Sequence, residues 1–153
     1  MSQLHRTIVT FQSSQFNATE SHDYFINPDC FGDDLCLWLI DELTARGVQC
    51  DSEPGQEDFG WYFNFQLGET VYCLVCGCRP PEADEPALWT LWIERSTGFI
   101  SSLFGGRNKG IELAAGEKIH EALFRSPYVQ DVLWHLPKDY EAGREESAVD
   151  SPG

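Results

Sequence analysis

WYFNFQL (Trp61–Leu67), Gly68-Glu69 and TVYCLVCGC (Thr70–Cys78) form the stretch whose reading decides the fold. In its first part Trp61, Phe63, Phe65 and Leu67 alternate with Tyr62, Asn64 and Gln66, the period of a strand with one buried face. Gly68-Glu69 is a two-residue connection with glycine first, the composition of a type II′ turn. Thr70–Cys78 is apolar almost throughout, which predicts a strand covered on both faces. The stretch therefore reads as a hairpin at the centre of an antiparallel sheet.

Working outward, Arg79–Pro86 (RPPEADEP) has the prolines and carboxylates of an exposed loop, and Ala87–Arg95 (ALWTLWIER) is a further strand with large apolar groups on both faces. On the N-terminal side, Leu35, Cys36, Leu39, Ile40 and Leu43 form one helical stripe, which predicts a helix over Asp33–Arg46. Asp33 and Asp34 suit its first turn, Arg46 its last turn, and Gly47 its left-handed stop. Val48–Cys50 reads as a short strand, Ser52–Gly60 as a loop, His5–Phe11 as a first strand, and Tyr24–Asn27 as an extended piece stopped by Pro28. Further on, Phe99–Phe104 suits a helical turn and Gly105–Gly110 a loop. Ile111–Phe124 suits a second helix, with Gly116 costing about 1 kcal/mol against alanine. Tyr128–His135 reads as a last strand. The expected architecture is α+β: a single antiparallel sheet of about five or six strands with two main helices packed on one face. One domain is expected over residues 1–138, with an acidic, disordered tail over 139–153.

The 153 residues carry 25 acidic and 10 basic side chains, a formal net charge of −15. Three basic and sixteen acidic residues fall in 1–94, whereas 95–138 is the one neutral-to-basic stretch. Such a field repels nucleic-acid phosphates and anionic membranes, so the partner expected from electrostatics is a basic protein. No apolar run approaches the roughly 20 residues of a membrane span, and no secretion signal is read at the start, which predicts a cytoplasmic chain with reduced thiols. A homo-oligomer is left open by the sequence.

Cys73, Cys76 and Cys78 have the look of a metal knuckle, but they lie in an apolar strand, where alternation sends Cys73 to one face and the other two to the opposite face. They are read as core thiols, and no metal or cofactor is expected. Arg107 and Lys109 in the GGRNKG loop stand near a helix start without the full phosphate-loop pattern. The most distinctive loop is Glu53–Trp61 (EPGQEDFGW), in which carboxylates precede large rings. Glu53, Glu57, Asp58 and Trp61 are its candidate contacts for an arginine- or lysine-rich partner. A rival reading makes Glu57 and Asp58, with His120, the acid/base groups of a small enzyme or ligand-binding domain, in a pocket between sheet and helices. On the second helix Leu113, His120 and Phe124 fall opposite the main stripe, which predicts burial under the tail or an exposed patch.

INPDCFGDDLCLWL (Ile26–Leu39) together with EPGQEDFGWYF (Glu53–Phe63) resembles a group of small uncharacterised bacterial proteins. The resemblance implies a bacterial or phage-related α+β domain and brings no catalytic residue with it. The expected function is thus non-enzymatic: an acidic protein-binding domain, in one form an immunity or antitoxin-type inhibitor of a basic partner.

Overall fold

The computed structural model describes residues 6–18, 22–25, 31–57, 60–79, 84–95, 111–141, 143 and 149–152, with the side chains of all but 57, 138 and 139 among them. The expectations over Phe99–Gly110 lie outside the described residues, as do Cys30 and Asp58.

Among the described residues, seven strands form one antiparallel sheet: β1 (Ile8–Ser13), β2 (Gln49–Cys50), β3 (Gly55–Glu57), β4 (Gly60–Leu67), β5 (Thr70–Arg79), β6 (Ala87–Arg95) and β7 (Gln130–His135). The order is β2-β4-β5-β6-β1-β7, with β3 also on β4. The central hairpin pairs Leu67 with Thr70 and Phe63 with Leu74. Gly68 supplies the positive φ of 60° that its turn needs.

Seven strands correct the expected five or six. The stretch read as loop contributes β3, which pairs Gly55 with Tyr62 and Gln56 with Trp61. Gly55 leaves room there for the Tyr62 ring, which would have to shift for a Cβ otherwise 2.8 Å away. A three-residue strand dictated by such a close approach leaves no periodic trace.

Helix α1 (Asp33–Ala45) buries Leu35, Cys36, Leu39, Ile40 and Leu43. It closes in a Schellman motif: Val48 N–H donates to the Leu43 carbonyl and Gly47 N–H to that of Thr44, both at 3.0 Å, with Gly47 at φ 84°. Arg46 Nη1 adds bonds to the Glu42 carbonyl and carboxylate. Helix α2 (Leu113–Phe124) buries Ala115, Gly116, Ile119, Ala122 and Leu123. These two stripes share one apolar core with Val9, Phe11, Phe63, Phe65, Leu74, Cys76, Trp89, Leu91 and Trp134. Cross-strand pairs such as Phe11 with Trp89 and Cys76 with Leu91 stack these residues on a single sheet face. Each large group so buried contributes about 1.5 to 3 kcal/mol.

The segment expected to be a loose tail contributes a short helix α3 (Pro137–Glu141) and an outer bridge. Trp134 and Val149 exchange backbone hydrogen bonds at 2.6 and 3.0 Å, and Arg6 N–H donates to the Pro152 carbonyl. Pro152 is buried beside Gly116. Among the described residues no helix is long and apolar enough to cross a membrane.

Candidate functional site

Antiparallel register collects several loops at one end of the sheet. There β1 stops at Ser13, opposite the first residue of β6, Ala87. Arg79 at the end of β5 faces Leu88, and Glu57 at the end of β3 pairs with Gly60 at the start of β4. The start of α1 meets the same end: a Cβ on Gly32 would lie 3.5 Å from both Cys76 Cβ and the Trp61 ring. Gly32, at φ 140°, thus lets the backbone drop onto the sheet.

Two features are built on that start. In the first, the Tyr24 hydroxyl donates to Asp33 Oδ2. Asp33 is buried, whereas Tyr24 is 62% exposed, stacked on His22 at 5.3 Å and edge-on to Phe25 and Trp61. The hydrogen bond to Asp33, then desolvation and the charges of Asp33 and Asp34, push the Tyr24 phenol up to about 12. Tyr24 is therefore a neutral donor at any ordinary pH.

The second is an open cleft of about 620 Å³ between the chain that follows β1 and the chain that leads into β6. Phe16 anchors one wall by ring contacts with Trp38 at 5.5 Å and Trp89 at 6.0 Å, and Trp89 Nε1 donates to the Ser13 carbonyl. Asp34 ties that wall to α1: its Oδ2 accepts from Asn17 N–H at 2.7 Å and its Oδ1 from Leu35 N–H at 2.9 Å. Burial raises the Asp34 carboxyl above its ordinary value, against the lowering effect of these donors. Among the described residues, the charged side chains lining the cleft are Asp34, Asp84 and Glu85, all carboxylates, accompanied by the hydroxyls and amides of Ser13, Ser14, Gln15 and Asn17.

The sequence-derived candidates are placed as follows. Glu53 is exposed between β2 and β3, and Glu57 is the last residue of β3. Trp61 is only 5% exposed; its ring packs on Phe25 at 5.1 Å and belongs to the core, so it offers no free face to a partner. His120 lies at the far edge of the sheet, where its Nδ1 accepts from Trp134 Nε1 at 3.1 Å and burial holds its imidazole below the ordinary histidine value. Glu57 sits on β3, which pairs with β4 on the side away from β5, while Trp134 is on β7; the path β3-β4-β5-β6-β1-β7 sets these strands five spacings apart, on the order of 24 Å along the sheet. The structure does not bring Glu57 and His120 together. No three His, Cys, Asp or Glu side chains converge as a metal site among the described residues. Cys76 is buried on the core face, and Cys73 and Cys78 are partly exposed.

The cleft was not legible in the sequence, since its walls come from positions near 15, 34 and 85. Asp34 read as a helix-dipole residue and Asp84-Glu85 as loop solvation. Comparison with protein-family models, with curated proteins and with solved structures finds no match to this chain.

Proposed function

We propose that this is an acidic, non-enzymatic protein-binding domain that receives a lysine- or arginine-bearing segment of a basic partner at the cleft end of the sheet. The observation that carries the reading is the cleft whose charged lining side chains, among the described residues, are all carboxylates: Asp34, Asp84 and Glu85. A chain with net charge −15 attracts cationic partners at long range. The cleft gives that attraction a concave endpoint, where hydroxyls and amides beside the acids can accept guanidinium or ammonium hydrogens. Exposed Glu53, just before β3, and Glu57, at the end of β3, extend the acidic surface and are the rim of the contact. One form of such a domain is a bacterial immunity or antitoxin-type inhibitor that covers the basic surface of a toxin.

The test uses a fluorescent arginine-rich peptide and anisotropy at two salt concentrations. Binding to the wild type should weaken as salt rises, and Asp84→Lys/Glu85→Lys should weaken it at least tenfold at low salt. Glu53→Lys/Glu57→Lys should weaken it less, as rim charges do. Unchanged affinity in the cleft variant would reject the cleft, and unchanged affinity in both would reject the acidic end as the binding surface.

A further inference from the structure

We propose that Cys36 and Cys76 form a reversible oxidation site, a dithiol that closes to a disulfide tying α1 to the middle of the sheet. The pair is independent of the cleft reading. Cys36 lies near the start of α1 and Cys76 in β5, 40 positions apart in the chain, yet Cys36 Sγ meets Cys76 Sγ at 3.1 Å. A disulfide has its sulfurs at about 2.05 Å, so the two atoms have roughly 1 Å left to close. The start of α1 lies close to that strand: a Cβ built on Gly32 would stand 3.5 Å from Cys76 Cβ, in ordinary contact. Both cysteines are free thiols with no exposed surface.

With a peroxide as oxidant the chemistry balances. One thiolate attacks a peroxide oxygen, the O–O bond breaks, and a sulfenic acid and one water result. The second thiol then attacks the sulfenic sulfur, the S–O bond breaks, the S–S bond forms, and a second water leaves. Two thiols lose two electrons and two hydrogens in all, and one peroxide is reduced. Both sulfurs are already in contact, so the sulfenic acid is trapped as a disulfide before it reaches higher oxidation states.

Burial sets the tempo. Desolvation pushes the Cys36 thiol well up, and its neighbours Cys76, Asp33 and Asp34 act in the same direction. The thiolate is therefore scarce, and the oxidant reaches it only when the start of α1 lifts. The pair answers sustained rather than brief oxidation. Once closed, it holds the turn that carries Asp33 and Asp34, and with it the Tyr24 and Asn17 bonds that depend on those carboxylates.

The test treats the full chain with hydrogen peroxide over hours, alkylates remaining thiols and maps the peptides by mass spectrometry. The expected product is a Cys36 peptide joined to a Cys76 peptide, lighter by two hydrogens than the sum and separated again by dithiothreitol. The linked form should also melt several degrees higher, because the bond closes a long chain loop. Cys50→Ser/Cys73→Ser/Cys78→Ser should keep the link and Cys36→Ser should abolish it. Should Cys36→Ser fail to fold, the wild-type peptide map decides. Cys36 recovered as alkylated thiol or as sulfinic acid after treatment, or joined to a different cysteine, would overturn the proposal. An unchanged melting temperature in the linked form would overturn the tethering.

Discussion

At one end of the sheet the chain leaving β1 at Ser13 and the chain arriving at Ala87 stand apart around a carboxylate-lined cleft. Towards the opposite end, Trp134 of β7 is paired on its outer side by Val149, Pro152 lies buried beside Gly116, and Arg6 is bonded to its carbonyl. The same strands therefore end open on one side and latched on the other. The difference lies in what covers the backbone. At the latched end the tail supplies backbone partners and an apolar ring, whereas at the cleft end side chains tie the wall to the body, Phe16 by ring contacts and Asp34 by a carboxylate. Backbone closure resists competition from solvent and ligand, while side-chain closure can be exchanged for a partner.

The largest effect is expected where the cleft wall meets the core. Trp89 is fully buried, donates to the Ser13 carbonyl and supports Phe16. Trp89→Ala should cost about 3 to 5 kcal/mol in urea unfolding and should also loosen the Ser13–Ala18 wall. If the loss stays under half of that, the cleft floor is not part of the core. Next comes the latch. A chain ending at residue 148 loses three backbone bonds and the burial of Pro152, which should cost about 3 kcal/mol at roughly 1 kcal/mol per hydrogen bond while leaving cationic-peptide binding intact. Lost binding in that truncation would show that the two ends are coupled.

Asp34→Asn is smaller and more local. Only one of the two acceptor oxygens survives, so either Asn17 or Leu35 loses its partner, at a cost of about 1 to 2 kcal/mol. Amide hydrogen exchange should rise along Ser13–Ala18 and stay unchanged at Trp134. Equal change at both places would erase the distinction drawn between the ends.

Much of this was legible in the sequence, and what was not has a physical reason. The Trp61–Cys78 hairpin and α1 are local: alternation, a turn glycine, a helical stripe and a Schellman glycine all lie within single windows. β3 was hidden because Gly55 serves contact with the Tyr62 ring, which no window containing Gly55 alone reveals. The fate of Trp61 was half legible: its size demanded burial, but the sequence did not say that Phe25 would cover it. The cleft and the Cys36–Cys76 contact join residues dozens of positions apart, so they exist only once the register is fixed. The Glu57–His120 pairing failed for the same reason, since the strand order puts them at opposite edges.

The two regions should also answer pH with opposite signs. The Asp34 carboxyl is raised by burial, so its contribution to stability is fully present below the ordinary aspartate value and is lost as pH rises through the raised one. The His120 imidazole is lowered by burial, so its contribution is present above about 6.5 and is lost as pH falls through the lowered value. Protonation would put a hydrogen on the Nδ1 that accepts from Trp134 Nε1, removing that bond. Acidification from neutral pH should therefore loosen the region around Trp134 and the tail first, while the Asn17–Asp34 wall holds or tightens. Residue-resolved hydrogen exchange between pH 7 and 5, with intrinsic rates corrected, reads both signs in one experiment. His120→Phe should remove the pH response at Trp134 and leave that at Asn17 unaltered. A response of the same sign at both residues would mean that the latch and the cleft do not titrate separately.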